Sequence, residues 1–234
     1  MLFRGFVLSK KETVLKLSIL AAFSVFAWCW SVKDRGVIFA VLGGIEREGD
    51  QIEILQMGRW LFLFAVFFLM MYRVMLDSRR TLLLSMYRYP SFRGWWKHYF
   101  LESHLMNLGH YLFCCLLWLL MENVTDNHSV YLFGTIIVFY IHLAMFISIL
   151  LACGVVWMKA AVPCILLLLE GSAYILSNSL PAGILTCGMY CRIVLDTDYP
   201  AVYLFSAVQL VVCMECYFLV PQFWDRGVLF EKNN

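Results

Sequence analysis

The chain has 234 residues, of which 62% are hydrophobic and 15% charged, with a formal charge of +2 and a mean hydropathy of +0.78. That apolar share exceeds the composition of a soluble domain, and apolar runs recur along the whole length, so residues 1–234 read as one integral domain. The small net charge, with basic residues gathered by loop and not along a stripe, excludes nucleic acid as a partner.

The N-terminal Met1 to Glu12 places Leu2, Phe3, Phe6 and Val7 beside Arg4, Lys10 and Lys11. That mixture fits a short interfacial helix at headgroup level, or a plain polar tail. Ser9, Lys10, Lys11 and Glu12 precede the first apolar run and no small-residue cleavage site follows it, so the expectation is a retained span and no signal peptide. Six runs then follow: 14–30, 60–75, 101–121, 131–157, 160–175 and 201–220. They lack the alternation of barrel strands, and only helices or closed barrels satisfy their backbone in lipid, so the fold class is all-α with six transmembrane helices. The fourth run is overlong and the fifth short; Lys159 between them, with Pro163 opening the next helix, marks a tight hairpin. The last run is expected to leave the membrane after Pro221.

Orientation follows from Lys and Arg, which accumulate on cytoplasmic flanks. With the N-terminus inside, Arg4, Lys10, Lys11, Lys16, Arg73, Arg79, Arg80, Arg88, Arg93, Lys97, Lys159, Arg226 and Lys232 are cytoplasmic. Only Lys33, Arg35, Arg47, Arg59 and Arg192 lie outside, so both termini are expected in the cytoplasm.

Between the second and third spans, Asp77 to His98 combines basic residues, aromatics and a short apolar segment. Thr81 to Tyr87 fits about two helical turns at the membrane surface, Pro90 would break them, and Trp95 and Trp96 would anchor the third span. The segment is either a docking surface or an interfacial loop that simply obeys the charge rule. The external stretch Ser177 to Pro200 is too apolar for an ordinary loop. A short helix there would bury Ile184, Leu185, Met189 and Ile193 in the outer leaflet, as a cap over the bundle or as a gate.

Ionisable groups inside the spans are costly in lipid and therefore candidates for function: Glu102, His104, His110, His142, Glu170 and Glu215. At about 100° per residue His104 lies about 200° and His110 about 80° from Glu102, so these three do not converge as a metal site. Glu170 and Glu215 are deeper, suited either to helix-to-helix hydrogen bonding or to lining a polar cavity. HExxH, GxSxG and GxxxxGK[ST] are all absent, so no catalytic residue, metal or cofactor is expected in this chain. Cys29, Cys114, Cys115, Cys153, Cys164, Cys213 and Cys216 fall in apolar runs as small hydrophobes, leaving only Cys187 and Cys191 in a polar connection. The sequon at Asn123 falls outside and matters only in a glycosylating cell, which is not the expected host.

Three segments carry a family resemblance: MYRYPSFRGWWKHYFLE (86–102), LPAGILTCGMYCR (180–192) and FWDRGVLF (223–230). Together with six spans they resemble permease subunits of type 2 ABC exporters of the antimicrobial-peptide (lantibiotic or bacteriocin) and multidrug kind. The resemblance implies a coupling helix at 81–96 that docks on a separate cytoplasmic ATPase, with Arg79, Arg80, Tyr87, Arg88, Tyr89, Arg93, Trp95 and Trp96 at the contact. It implies an external gate involving Leu180, Pro181, Met189 and Arg192. ATP and Mg would be bound by the partner ATPase, and a second copy or a sister permease would complete a path for a peptide or amphipathic drug in a bacterial cell membrane. Ala182 and Gly183 depart from the Gly-Asn that the family pattern prefers. The alternative is an accessory or immunity membrane protein that binds a peptide without transporting it.

Overall fold

Helices close their own backbone hydrogen bonds, and in the computed structural model the described part of each apolar run is helical. The structure describes residues 10–29, 36–44, 47–48, 51–52, 54–80, 89, 91–125, 132–156, 161–176, 188 and 200–225. Among them the elements are α1 (Lys10–Cys29), α2 (Val37–Leu42), β1 (Arg47–Glu48), β2 (Gln51–Ile52), α3 (Ile54–Arg80), α4 (Phe92–Thr125), α5 (Leu132–Val156), α6 (Ala161–Leu176) and α7 (Pro200–Asp225). The fold is thus all-helical apart from a two-residue antiparallel ladder that pairs Arg47 with Ile52 and Glu48 with Gln51.

Among the described residues, four helices contain stretches long and apolar enough to cross a membrane: Ile54–Tyr72, Phe92–Asn123, Phe133–Val155 and Val202–Gln222. The apolar parts of α1 and α6, Thr13–Phe26 and Ala161–Ser172, are shorter. Pro163 sits in the first turn of α6, where its missing N–H costs nothing. Thr81 to Arg88, residues 177–187 and 189–199, and the N-terminal 1–9 lie outside the described residues, and with them the expected surface and outer-leaflet helices.

Two helices run past the apolar runs that announce them. Helix α3 extends from Ile54 through Arg80, and α4 begins at Phe92, nine residues before the expected Leu101. A span is delimited by hydropathy, whereas a helix ends only where its backbone geometry is broken. Ser91 supplies the start of α4 by accepting the Gly94 N–H on its hydroxyl at 3.1 Å. The apolar stretch of α7 ends at Gln222, one residue past Pro221, while the helix itself continues through that proline to Asp225. Pro221 has no N–H to give the carbonyl four residues back, that of Tyr217. The indole Nε1 of Trp96 on α4 donates to that same oxygen at 3.0 Å, so the helix passes the proline with its carbonyl still paired.

Helix α5 is apolar on all sides, with mean hydropathy 2.6 over Phe133–Val155, and accordingly sits at the centre. It packs most extensively on α7 and also meets α2, α3, α4 and α6. Along α3, Trp60, Leu63, Phe64, Phe67, Met71, Val74 and Met75 recur at helical spacing and are buried. Phe64 is the hub of the core: its ring centroid lies 5.5 Å from Trp60, 5.8 Å from Phe68, 5.4 Å from Phe139, 5.5 Å from His142 and 5.8 Å from Phe146. Gly154 of α5 meets the Met75 thioether so closely that a Cβ there would collide with it.

The short α2 is buried through Val37, Ile38 and Leu42. It starts at Gly36, whose φ of 78° is one that other residues rarely adopt, and no side chain of its own caps it. A carboxylate from elsewhere does so: Glu122, near the end of α4, accepts the Ile38 N–H on Oε2 at 2.8 Å. The negative group meets the positive end of the helix.

Candidate functional site: a buried polar cluster shared by four helices

The core encloses polar side chains from α3, α5, α6 and α7 that bond to one another in series. Trp60 Nε1 donates to Glu170 Oε1 at 2.7 Å. His142 Nε2 meets the other oxygen, Oε2, at 3.1 Å. Gln209 Nε2 donates to His142 Nδ1 at 2.8 Å. With Nδ1 accepting from the amide, the ring proton resides on Nε2 and points at Glu170. Glu170 thereby has a ring nitrogen partner on each oxygen. His142 and Gln209 have no exposed surface and Glu170 has 2%, so each polar atom in the series depends on the protein for its partner.

Helical spacing explains how these groups meet. Trp60 precedes Phe64 by one turn on the buried face of α3, and His142 precedes Phe146 by one turn on α5, so the two helices bring two aromatic layers and one polar layer together. Gly171 follows Glu170 and leaves room for Leu61 of α3 to approach α6 closely. Gly188 completes the enclosure: it is buried against the His142 ring, where a Cβ would come within 2.5 Å of Cδ2.

A second polar surface runs along α4. Ser103, Asn107, His110 and Trp118 recur at spacings that keep them on one face, all buried. The Ser103 hydroxyl, both polar atoms of the Asn107 amide, His110 Nδ1 and Trp118 Nε1 have no hydrogen-bond partner among the described residues. Helix α1 lies against α4, with the Lys16 ammonium near enough to His110 to act on it electrostatically and the Ser24 hydroxyl near Cys114.

The six ionisable groups singled out in the sequence have separate fates. Only His142 and Glu170 are brought together. Glu102 pairs with His98 one turn earlier at 3.0 Å, His104 Nε2 meets the Ser148 hydroxyl of α5 at 3.1 Å, His110 turns toward Lys16, and Glu215 is exposed on α7. Glu102, His104 and His110 thus point three ways, and among the described residues no group of three His, Cys, Asp or Glu could hold a metal ion. The seven cysteines outside the 187–191 segment are free, while Cys187 and Cys191 lie outside the described residues.

Of the candidate coupling residues, Arg79 and Arg80 close α3 and Tyr89 is half-buried. Arg93 is exposed on α4, whereas Trp95 and Trp96 are buried, Trp95 stacked on Tyr99 and Trp96 tilted against Phe100. Tyr87, Arg88, Leu180, Pro181, Met189 and Arg192 lie outside the described residues.

Trp60 and Gln209 were not singled out in advance. Tryptophan at the edge of an apolar run also serves as an interfacial anchor, and a neutral amide in a span carries no charge to mark it. The one available signal for Gln209 was its position, since it is an amide flanked by the apolar Ala207, Val208, Leu210 and Val211 in α7. At the opposite side of α3 a cleft of about 30 Å³ is lined by Phe23, Phe26, Ala40, Val41, Arg59, Phe62 and Leu63. That volume holds about one water and is far below that of a drug-sized site. No protein-family model, no curated protein and no solved structure matches this chain.

Proposed function

We propose that this chain is the membrane-spanning permease subunit of an ATP-driven exporter of the type 2 ABC kind. In this reading α1 and α6 cross along with the four longer helices, making six spans with both termini in the cytoplasm of a bacterial cell. Two such subunits, identical or sister, enclose a path for a peptide or amphipathic drug, and a separate ATPase binds ATP and Mg.

The observation that carries the reading is the length of α4. Its 34 residues span about 51 Å at 1.5 Å per residue, against about 30 Å of hydrocarbon. One unbroken helix therefore reaches well beyond the bilayer on the side of Phe92, directly after the basic, aromatic stretch that resembles a coupling segment. Arg93 and Lys97 are exposed on that projection, while Trp96 ties it to α7. A push on the projecting end would move α4 and α7 together as a largely rigid body, which is what alternating access driven from a cytoplasmic ATPase requires.

The test is co-purification from gently solubilised native membranes. An ATPase of about thirty kilodaltons, the size of one large domain, is expected to accompany the chain. Reversing the charge at Arg88 and Arg93 is expected to release it while the permease still inserts. Reproducible absence of an ATPase from the wild-type preparation overturns the reading.

A further inference from the structure

We propose that the face of α4 formed by Ser103, Asn107, His110 and Trp118 is a water-binding seam, which holds a thread of ordered water between α4 and α1. The inference needs no ATPase and stands apart from the permease reading.

Helix geometry puts these residues in one line. At about 100° per residue Asn107, His110, Cys114 and Trp118 lie about 40°, −20°, 20° and 60° from Ser103, so all five fall within an arc of about 80°. On the opposite side the same helix turns Leu105, Leu112 and Leu116 outward, all exposed. Helix α4 is therefore polar toward the protein and apolar toward its surroundings. From Ser103 to Trp118 the line rises about 22 Å, most of the about 30 Å of a hydrocarbon core.

Burial cuts these groups off from bulk water. Ser103 is 1% exposed, His110 8%, and Asn107 and Trp118 have no exposed surface. The Ser103 hydroxyl, both ends of the Asn107 amide, His110 Nδ1 and Trp118 Nε1 find no hydrogen-bond partner among the described residues. Buried polar atoms in folded proteins are paired, and ordered water takes the place of a protein partner where none is at hand. Helix α1 forms the other wall of the seam. Its buried stripe is Lys16, Leu20, Phe23 and Ser24, with Val14, Leu15, Ile19 and Val25 exposed. The Lys16 ammonium acts on His110 and the Ser24 hydroxyl meets the Cys114 thiol. Since His110 and Cys114 flank the centre of the arc, α1 lies over the line itself.

The chemistry of the seam selects water over an ion. Asn107 Oδ1 requires a donor and Trp118 Nε1 an acceptor, while the Ser103 hydroxyl serves as either. Water supplies both kinds of partner; an anion brings no donor for Oδ1. A hard cation demands several oxygen ligands, and among the described residues no group of three His, Cys, Asp or Glu could hold a metal ion. One water between two polar groups bridges about 5–6 Å. That is close to the axial steps of about 6 Å from Ser103 to Asn107 and about 4.5 Å from Asn107 to His110. Cys114, with Ser24 opposite, occupies the longer step to Trp118.

Trp60 and Trp96 are controls within the same chain. They are 3% and 0% exposed, but their indole N–H groups donate to Glu170 Oε1 at 2.7 Å and to the Tyr217 carbonyl at 3.0 Å. The test is proton-detected solid-state NMR on the full chain in liposomes, with ¹⁵N in Trp and Asn, timing the transfer of magnetisation from water to each side-chain N–H. Trp118 and Asn107 are assigned by loss of their signals in Trp118→Phe and Asn107→Leu, or through the backbone where a variant fails to fold. In the wild-type chain, transfer to the Asn107 amide and to the Trp118 indole is expected to be several-fold faster than to Trp60 and Trp96. Transfer at either site no faster than at the two controls overturns the proposal. Asn107 is the sharper of the two, because Trp118 lies near the end of α4 and Asn107 near its middle.

Discussion

Trp96 donates its indole N–H to the carbonyl of Tyr217, the acceptor that Pro221, four residues further along α7, cannot serve. A proline defect in one helix is thus filled by a side chain of another, and the two helices are joined at the point where α7 is weakest. Replacing Trp96 with Phe leaves that carbonyl buried without a donor, at a cost of about 1–3 kcal/mol. Pro221→Ala restores a backbone N–H, so the double variant is expected to lose less stability than Trp96→Phe alone. Thermal unfolding of the four proteins in one detergent forms the cycle; strict additivity would refute the pairing.

Core and lipid-facing aromatics should respond differently on the same helix. Phe64→Ala, which empties the hub of five rings, is expected to cost about 3–5 kcal/mol. Phe62, 48% exposed, should cost under about 1 kcal/mol when truncated, since it leaves no enclosed cavity. Equal losses in unfolding experiments would mean that the α3 face is assigned wrongly.

Hydrogen exchange can check the cap on α2. Glu122→Ala removes the acceptor of the Ile38 N–H and should cost about 0.5–2 kcal/mol locally, with faster exchange across Val37 to Leu42. Glu122→Gln keeps an oxygen in place and should remain near wild type. Unchanged exchange in the alanine variant would show that α2 is held by its apolar contacts alone.

Gly154 provides the packing test between α3 and α5. A valine there collides with the Met75 thioether and is expected to destabilise by about 1–3 kcal/mol. Met75→Ala in the same chain makes room and should recover part of the loss. Failure of the second change to help would place the strain elsewhere.

The existence of the helices was legible because each apolar run is long and its partners in lipid are limited to itself. Their ends were less so. Phe92 to Phe100 carries Arg93, Lys97 and His98, so the apolar run read from the sequence starts only at Leu101, although the backbone is helical from Phe92. That α7 stays helical past Pro221 was not legible either: it depends on whether another helix supplies a donor, and Trp96 is 121 residues away in the chain. At the site, His142 and Glu170 were recognisable by their ionisable side chains, but their meeting was not, because pairing between helices follows from packing angles that no single run contains. Glu215, equally charged, faces outward on α7, while Gln209 on the same helix faces in. The six positions that separate them rotate about 240°, so either could have been the inner one.

The position of Glu170 also bears on how the chain is built during synthesis. Helix α6 has 16 residues, about 24 Å of rise, with a carboxylate near its middle. A centrally placed acidic residue opposes entry of an isolated segment into the bilayer by about 2.5–3.5 kcal/mol. Two of its donors, Trp60 and His142, belong to segments translated earlier, so they are already available when α6 emerges from the ribosome. On the six-span reading proposed above, insertion of this helix is a tertiary event: it recruits its solvation from helices that precede it, and Gln209 joins only when α7 arrives.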